Sequence, residues 1–262
     1  MKPEHIIHPE DTRLTAYGQL KDKQLARDHG LFVVEGEFLV RRLLASDITV
    51  QSVCMTDSRH ENNRWDIPAH VPIYLASKEL MSHIVGFPFH RGVLALGVRP
   101  SLTHLADLQT DMACIRRWIL CPEINDVENL GSVMRSSAAL GYRHLLLGES
   151  CCDPWARRAI RTSMGAVFQQ TICRSVCVER DMDMLRNEYG FVFHAAVLDD
   201  TATPLDSICP PEKVGLLFGP EANGLASSWS ARVEQLVTIP MACNVDSLNI
   251  GVAAGIFMYH YR

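Results

Sequence analysis

Three short blocks in the second half of the chain carry residue types at spacings that could hold a ligand. The first is Asn129-Leu130-Gly131 with Arg135. The second is Gly219-Pro220-Glu221-Ala222-Asn223-Gly224, and the third is Ile239-Pro240-Met241 followed by Ser247-Leu248-Asn249. Each stands where an apolar, strand-like run meets a turn or a helix-like run, the place where α/β proteins gather ligand-binding groups. In the first, Asn129 suits a turn or cap and Gly131 permits close backbone approach. Arg135 is expected about one turn into the helix, near enough to its N-terminus to share an anion with it. In the second, Gly219-Pro220 forces a sharp turn that displays Glu221, a carboxylate able to position a ligand group or balance an arginine, and Asn223-Gly224 adds another turn. In the third, Ser247 is expected to cap a final helix, with Asn249 facing the same mouth. Taken singly, the blocks also fit a capped helix with a surface Arg, a solvent loop and simple core packing.

The elements that must position these blocks follow from hydropathy periodicity. Apolar runs at 31–34, 50–55, 71–75 and 93–98 predict strands, alternating with amphipathic stretches at 13–27 and 38–44 and with a helix opened by Ser77 as N-cap. Residues 1–12 read as a loosely attached leader. The polar stretch from Arg99-Pro100 to about Asp111 is the boundary candidate, which divides the chain into domains 1–105 and 112–262. The second half begins with a strand at 118–120. A helix is expected from Asn129 to a C-terminal Gly141, and a strand at 144–147. Asp153-Pro154 is expected to cap a helix over 155–160. The runs at 191–197 and 214–218 are nearly continuous in apolar residues, as in parallel strands covered on both faces, and a strand at 235–239 and a helix at 248–259 close the chain. On that last helix Ser247, Gly251 and Gly255 recur every four residues beside Ala254. This smooth face suits close helix contact, within the core or between subunits.

Composition narrows the function classes. With 47% hydrophobic and 21% charged residues over 262 positions, the chain has the make-up of a globular protein with a substantial core. The polar start, with no apolar signal segment, and a final apolar run too short to span a bilayer point to the cytoplasm and to no membrane partner. The nine cysteines include no C-x-x-C pair and no His pair at zinc spacing, so free thiols and no metal are expected. No G-x-G-x-x-G is present to suggest an ordinary dinucleotide site. Net charge is −5. Residues 1–100 hold 12 Lys and Arg against 12 Asp and Glu, leaving 13 against 18 in the remainder. A polyanion must therefore be met by local arginines rather than by a global field. Arg157, Arg158 and Arg161 cluster on one predicted helix, and Arg41-Arg42 are the comparable pair in the first half.

The three blocks, in this order, resemble the motifs of the SpoU (TrmH-like) branch of the SPOUT RNA methyltransferases. The match runs through Asn129, Gly131 and Arg135; Gly219, Pro220, Glu221, Asn223 and Gly224; and Ile239, Pro240, Met241, Ser247, Leu248 and Asn249. Arg161-Thr162-Ser163-Met164-Gly165-Ala166 is similar to the family's segment between the first two motifs. Phe32-Val33-Val34-Glu35-Gly36 and His90-Arg91-Gly92-Val93-Leu94-Ala95 are similar to its N-terminal, L30e-like substrate-binding domain. One departure is Val127, where the family usually has Pro after the residue equivalent to Asp126; it loosens the entry turn and removes no polar group.

The resemblance implies an α/β protein. Its C-terminal SPOUT domain would have a parallel sheet and a deep trefoil knot, behind a smaller L30e-like domain, and the chain would be a homodimer through the C-terminal domain. It implies S-adenosylmethionine as cofactor, held around Leu217, Gly219, Ile239, Met241 and Leu248. It further implies a polar catalytic set of Asn129, Arg135, Glu221, Ser247 and Asn249, and RNA as substrate. The RNA-contact candidates are Arg41, Arg42, Arg157, Arg158 and Arg161. The implied reaction is methylation of a ribose 2′-hydroxyl in tRNA or rRNA. A guanidinium, with a pKa above roughly 12, is a poor base at neutral pH, so Arg135 is expected to stabilise the developing alkoxide and grip a phosphate. Two other readings stay open here: a non-catalytic RNA-binding assembly factor on the same scaffold, and a base-methylating enzyme of the wider superfamily.

Overall fold

The computed structural model describes residues 2–18, 22–62, 64–101, 103–108, 112–220, 224–225, 227–242 and 247–262. Its contacts separate two units, Met1–Ser101 with Trp155–Phe168, and Leu102–Pro154 with Gln169–Arg262.

In the first unit a five-stranded sheet has the order β1-β4-β3-β5-β2, formed by β1 (Glu4–His5), β2 (Leu31–Glu35), β3 (Val50–Met55), β4 (Ile73–Leu75) and β5 (Val93–Val98). β1, β4 and β3 run parallel, and β5 is antiparallel to both β3 and β2. The longer helices of this unit among the described residues are α1 (Asp22–His29), α2 (Glu37–Leu44) and α3 (Lys78–Val85), beside the short helices Thr15–Gly18 and Asp57–Asn62. Ser77 caps α3 as expected, its hydroxyl accepting from the Leu80 N–H, and Gly86 closes it in the left-handed region. The expected leader is instead part of the sheet. The Ile6 N–H donates to the Leu75 carbonyl and the Ile6 side chain is buried. One buried residue in a polar stretch gives no periodicity, so the sequence pattern did not reveal it. α2 buries Leu39, Val40 and Leu43, but Phe38 lies outside that face, half exposed beneath the Arg42 guanidinium.

The second unit is built on a seven-stranded, all-parallel sheet. Its strands are β6 (Arg117–Cys121), β7 (His144–Gly148), β8 (Thr171–Ser175), β9 (Val192–Ala196), β10 (Thr203–Pro204), β11 (Val214–Leu217) and β12 (Gln235–Thr238), in the order β10-β12-β9-β11-β6-β7-β8. β11 inserts between β6 and β9, with Leu217 level with Leu120 on one side and Ala195 on the other. These strands are apolar on both faces because both faces are buried: Trp118, Leu120, Leu146, Phe193 and Leu217 share one core cluster, and the alternate residues Ile119, Leu145, Leu147 and Leu216 are buried too.

Helix α4 (Val127–Ala139) follows β6, and the last helix packs against it. α4 begins two residues earlier than expected because Asp126 caps it, accepting from the Glu128 and Asn129 N–H groups. Gly141 ends it with φ +86°.

The segment Trp155–Phe168 groups with the first unit, whereas a linear division at 105/112 leaves it in the second domain. Its helix α5 spans Arg157–Thr162, later than the 155–160 expected from Asp153-Pro154. The reason is tertiary. Trp155 packs tilted against Phe32, with ring centroids 5.0 Å apart, and the first N–H of α5, that of Arg157, is taken by the Asp22 carboxylate at 3.0 Å. Helix α6 (Val178–Tyr189) lies between β8 and β9 and had no counterpart in the sequence reading, nor did β8.

The final helix α7 (Ile250–His260) sets the geometry of the second unit. A Cβ on Gly251 would stand 2.3 Å from Ser132 Oγ and 2.6 Å from Ser132 Cβ, whereas one on Gly255 would meet nothing nearer than Ser136 Oγ at 3.7 Å. The smooth face of α7 is thus used within the chain, against α4. The other end of α7 is held by its last carbonyls. Tyr142 Oη donates to Met258 O at 3.0 Å, and Arg117 Nε donates to Tyr261 O at 2.7 Å. Below it His194 Nδ1 and Tyr261 Oη lie 2.6 Å apart; burial lowers the His194 pKa and raises that of Tyr261. Gly251→Ala should destabilise by about 1–3 kcal/mol through overpacking. Gly255→Ala should be neutral or gain up to about 1 kcal/mol of helix propensity. Thermal unfolding of the two variants checks the pair, and equal effects would refute the asymmetric packing.

Candidate cofactor and methyl-transfer site

At the carboxyl ends of β9, β11 and β12 the turns enclose an apolar cleft. Phe218, Gly219 and Pro220 come from the turn after β11, Ile239 and Met241 from the turn after β12, and Ser247, Leu248, Ile250, Ala253 and Phe257 from the start of α7. Val197 and Leu198 close the side nearest β9. The Gly224 N–H donates to Pro220 O at 2.9 Å, and Gly224 takes φ +61°. A Cβ on Gly219 would stand 2.8 Å from the backbone N of Leu225, so only glycine lets the chain turn this closely.

Four of the five expected cofactor residues, Gly219, Ile239, Met241 and Leu248, line this cleft. Leu217 does not: as the last residue of β11 it is wholly buried in the sheet core. Val197, Leu198, Phe218, Ile250, Ala253 and Phe257 line the cleft and were not singled out from sequence, where they read as ordinary core hydrophobics. The only signal available was their position at strand ends.

The polar residues divide differently. Asn249, not Ser247, caps α7, its Oδ1 accepting from the Gly251 N–H at 2.9 Å. The same side chain donates through Nδ2 to Asn129 Oδ1 at 2.9 Å, which joins the third block to the first. Asn129 sits inside the first turn of α4 rather than capping it, because Asp126 already holds the cap. Ser247 is exposed and contributes to the cleft rim.

Arg135 lies more than two turns into α4, about 12 Å along the axis from its first residue, so it does not share an anion with the helix N-terminus. It is exposed, and among the described residues it has no hydrogen-bond or ion-pair partner. Glu221 and Asn223 lie outside the described residues.

The remaining arginines fall on the first unit. Arg41 pairs with Glu37 at 2.9 Å and stacks over Trp65; Arg42 donates to Met164 O. Arg157 pairs with Asp22 at 3.0 Å and donates to Tyr17 O, so its charge is matched locally. Arg158 and Arg161 are exposed and, among the described residues, have no ion-pair partner.

Four of the thiols are poor nucleophiles. Burial pushes Cys54, Cys152 and Cys173 up to about 12 and holds Cys121 well above the ordinary thiol value. Among the described residues no group of three His, Cys, Asp or Glu side chains is placed to hold a metal ion, and no helix is long and apolar enough to cross a membrane.

Asn249→Ala removes both the α7 cap and the link to Asn129. It should cost about 1 kcal/mol for the cap alone, a fall in Tm of about 2–4 °C. Asn249→Asp keeps the capping acceptor and loses only the donor to Asn129, so it should retain more of the Tm; thermal unfolding compares them, and a larger loss in Asn249→Asp would contradict the capping role.

Comparison with known proteins gives a consistent picture. Residues 117–259 match the model of the SpoU rRNA Methylase family. An uncharacterized tRNA/rRNA methyltransferase of Mycobacterium tuberculosis is 31% identical, over 97% of this chain and 90% of its own length. A 23S rRNA guanosine 2′-O-methyltransferase of Bacillus subtilis is 23% identical over 98% of both chains. Among solved structures, the AdoMet-bound rRNA methyltransferase of Sinorhizobium meliloti shares the fold with a TM-score of 0.83, at 21% identity over 99% of this chain and 97% of that one. The order of the three blocks, the all-parallel sheet with its cleft at the carboxyl ends, and these matches establish that the chain belongs to the SpoU rRNA methylase family.

Proposed function

We propose that this chain transfers a methyl group from S-adenosylmethionine to a ribose 2′-hydroxyl of a structured tRNA or rRNA in the cytoplasm. The observation that carries this reading is the Asn249–Asn129 hydrogen bond. It brings the first and third blocks together beside the apolar cleft that the second and third blocks build. The names of the relatives point the same way, toward methyl transfer rather than a non-catalytic scaffold.

The cleft fits the cofactor. Its walls are apolar side chains suited to a flat purine, and the Gly219 turn keeps the backbone close where a Cβ would fill the space. Gly219, Ile239, Met241 and Leu248 would hold S-adenosylmethionine, which when bound supplies an electrophilic methyl group. Asn129, Ser247 and Asn249 would orient the ribose. Glu221 would complete the polar set, as the family resemblance implies. The Arg135 guanidinium would grip the phosphate beside the target and stabilise the oxyanion that develops as the hydroxyl loses its proton.

Residues 112–262, without the α5 segment, would form the methyltransferase domain and residues 1–105 the L30e-like RNA-binding one, with Arg41, Arg42, Arg157, Arg158 and Arg161 as contacts or their supports. The trefoil knot belongs to the same reading: β11 inserts between β6 and β9, and the chain beyond β12 returns to pack α7 on α4. A homodimer is supported by the face of α7 that α4 leaves uncovered. Val252, Ile256 and Tyr259 recur there at helical spacing and are 51%, 40% and 57% exposed.

Arg135→Ala should lower methyl transfer by at least about a hundredfold, the scale of one lost oxyanion donor, while calorimetry shows S-adenosylmethionine binding largely intact; near-normal turnover would remove Arg135 from the mechanism. Mapping ribose methylation across total RNA with and without the protein tests the function itself, and mass spectrometry that finds the new methyl group on a base rather than the ribose would refute it. Ile256→Asp should convert a dimer into a monomer by light scattering at matched concentration, and an unchanged mass would exclude this face as the interface.

A further inference from the structure

The first unit carries a second cleft, lined in part by three of the arginines proposed above as RNA contacts or their supports. β2 supplies Glu35, the loop after α3 supplies Phe87 and Arg91, and α5 supplies Arg157, Arg158 and Arg161. Its charges are unevenly matched. Arg157 is engaged by Asp22 at 3.0 Å and approaches Glu35 at 3.9 Å, and Arg91 approaches the other Glu35 oxygen at 3.9 Å. Those two acids are thereby answered. Arg158 and Arg161 remain, three residues apart on one helix and therefore neighbours, both exposed, with no ion-pair partner among the described residues. They leave two uncompensated guanidinium groups at the rim. On the same cleft Phe87 is 48% exposed, although Phe89, in edge contact at a 6.3 Å centroid distance, is wholly buried. Phe89 thus anchors the Phe87 ring from beneath.

An exposed aromatic ring beside two free guanidiniums matches one chemical partner closely. A nucleobase offers a π-face to the ring, and its flanking phosphates offer oxygens to the forked N–H donors. An acidic peptide would satisfy the arginines and leave the ring unused. We propose that this cleft receives one unstacked nucleotide of the RNA, its base against Phe87 and its phosphates against Arg158 and Arg161. The proposal rests on the RNA methyl-transfer reading for the identity of the partner as RNA. It adds a base-stacking contact on the first unit, so that the target is gripped by a splayed single-stranded position as well as by its backbone.

The test uses the full chain and a fluorescein-labelled oligoadenylate of about 12 nucleotides, beside an abasic oligomer of the same length, followed by fluorescence anisotropy over a salt series. Phe87→Ala should weaken binding of the oligoadenylate about tenfold, the size of one base–aromatic stack, and leave the abasic oligomer unaffected; Phe87→Trp should restore it. The double variant Arg158→Ala/Arg161→Ala should weaken both oligomers and flatten the slope of log K against log salt by about 1.4, two single-strand phosphate contacts. Equal loss on both oligomers in Phe87→Ala, no loss on either, or displacement of the oligoadenylate by polyglutamate at matched charge would each overturn the proposal. Failure of the wider reading looks different: the chain would show these effects on the oligomers and transfer no methyl group to RNA, whereas intact methyl transfer with Phe87-independent binding would overturn the cleft alone.

Discussion

The close approach of α7 to α4 is the constraint on which the C-terminal site depends. Gly251 faces Ser132 with no room for a methyl group between them, so the two helices meet at the point where α7 begins. That contact puts Asn249 within hydrogen-bonding distance of Asn129 and holds Ser247, Leu248 and Ile250 over the turns that follow β11 and β12. The far end of α7 is tied by Tyr142, Arg117 and the His194–Tyr261 pair. A helix fixed at both ends carries its side chains into the cleft with little freedom. Polar groups on such elements are positioned more accurately than groups on loops.

Much of this was legible in the residues, for physical reasons that can be named. Long apolar runs such as 93–97 and 214–217 are buried on both faces and leave no ambiguity. Gly141 and Ser77 mark helix ends because their local chemistry decides those ends alone. Where a distant residue decides, local reading fails. The start of α5 is set by Asp22 and by Trp155 on Phe32, which no local pattern contains. The cap of α7 falls on Asn249 rather than Ser247 because the helix starts at Ile250, and the same Asn249 side chain also reaches Asn129. The cofactor cleft shows the same division: its glycine and proline turns were visible, but Leu198 and Ala253 became lining residues only once three strand ends and a helix converged.

Charge placement tells a related story. Several arginines on the first unit are occupied, Arg41 by Glu37, Arg59 by Glu37 and Arg157 by Asp22, so much of its guanidinium charge is matched locally. Long-range attraction to a polyanion is weak under these conditions and screened within about 10 Å at moderate salt. Discrimination must then come from shape and from a few well-placed contacts rather than from general stickiness.

The packing of the α5 segment against the first unit has a consequence for how the chain comes into being. During synthesis the strands of that unit emerge first, yet Phe32 lacks Trp155 until residue 155 is made and has both Trp155 and Phe168 to rest on only once the chain has grown through residue 168. By then β6, α4 and β7 have also been made. The N-terminal unit therefore cannot finish before the C-terminal unit has begun. Its contacts span more than a hundred residues, a separation that slows folding and leaves an apolar face waiting. The order of assembly is written into the connectivity: the first unit to appear can close only after part of the second has been made.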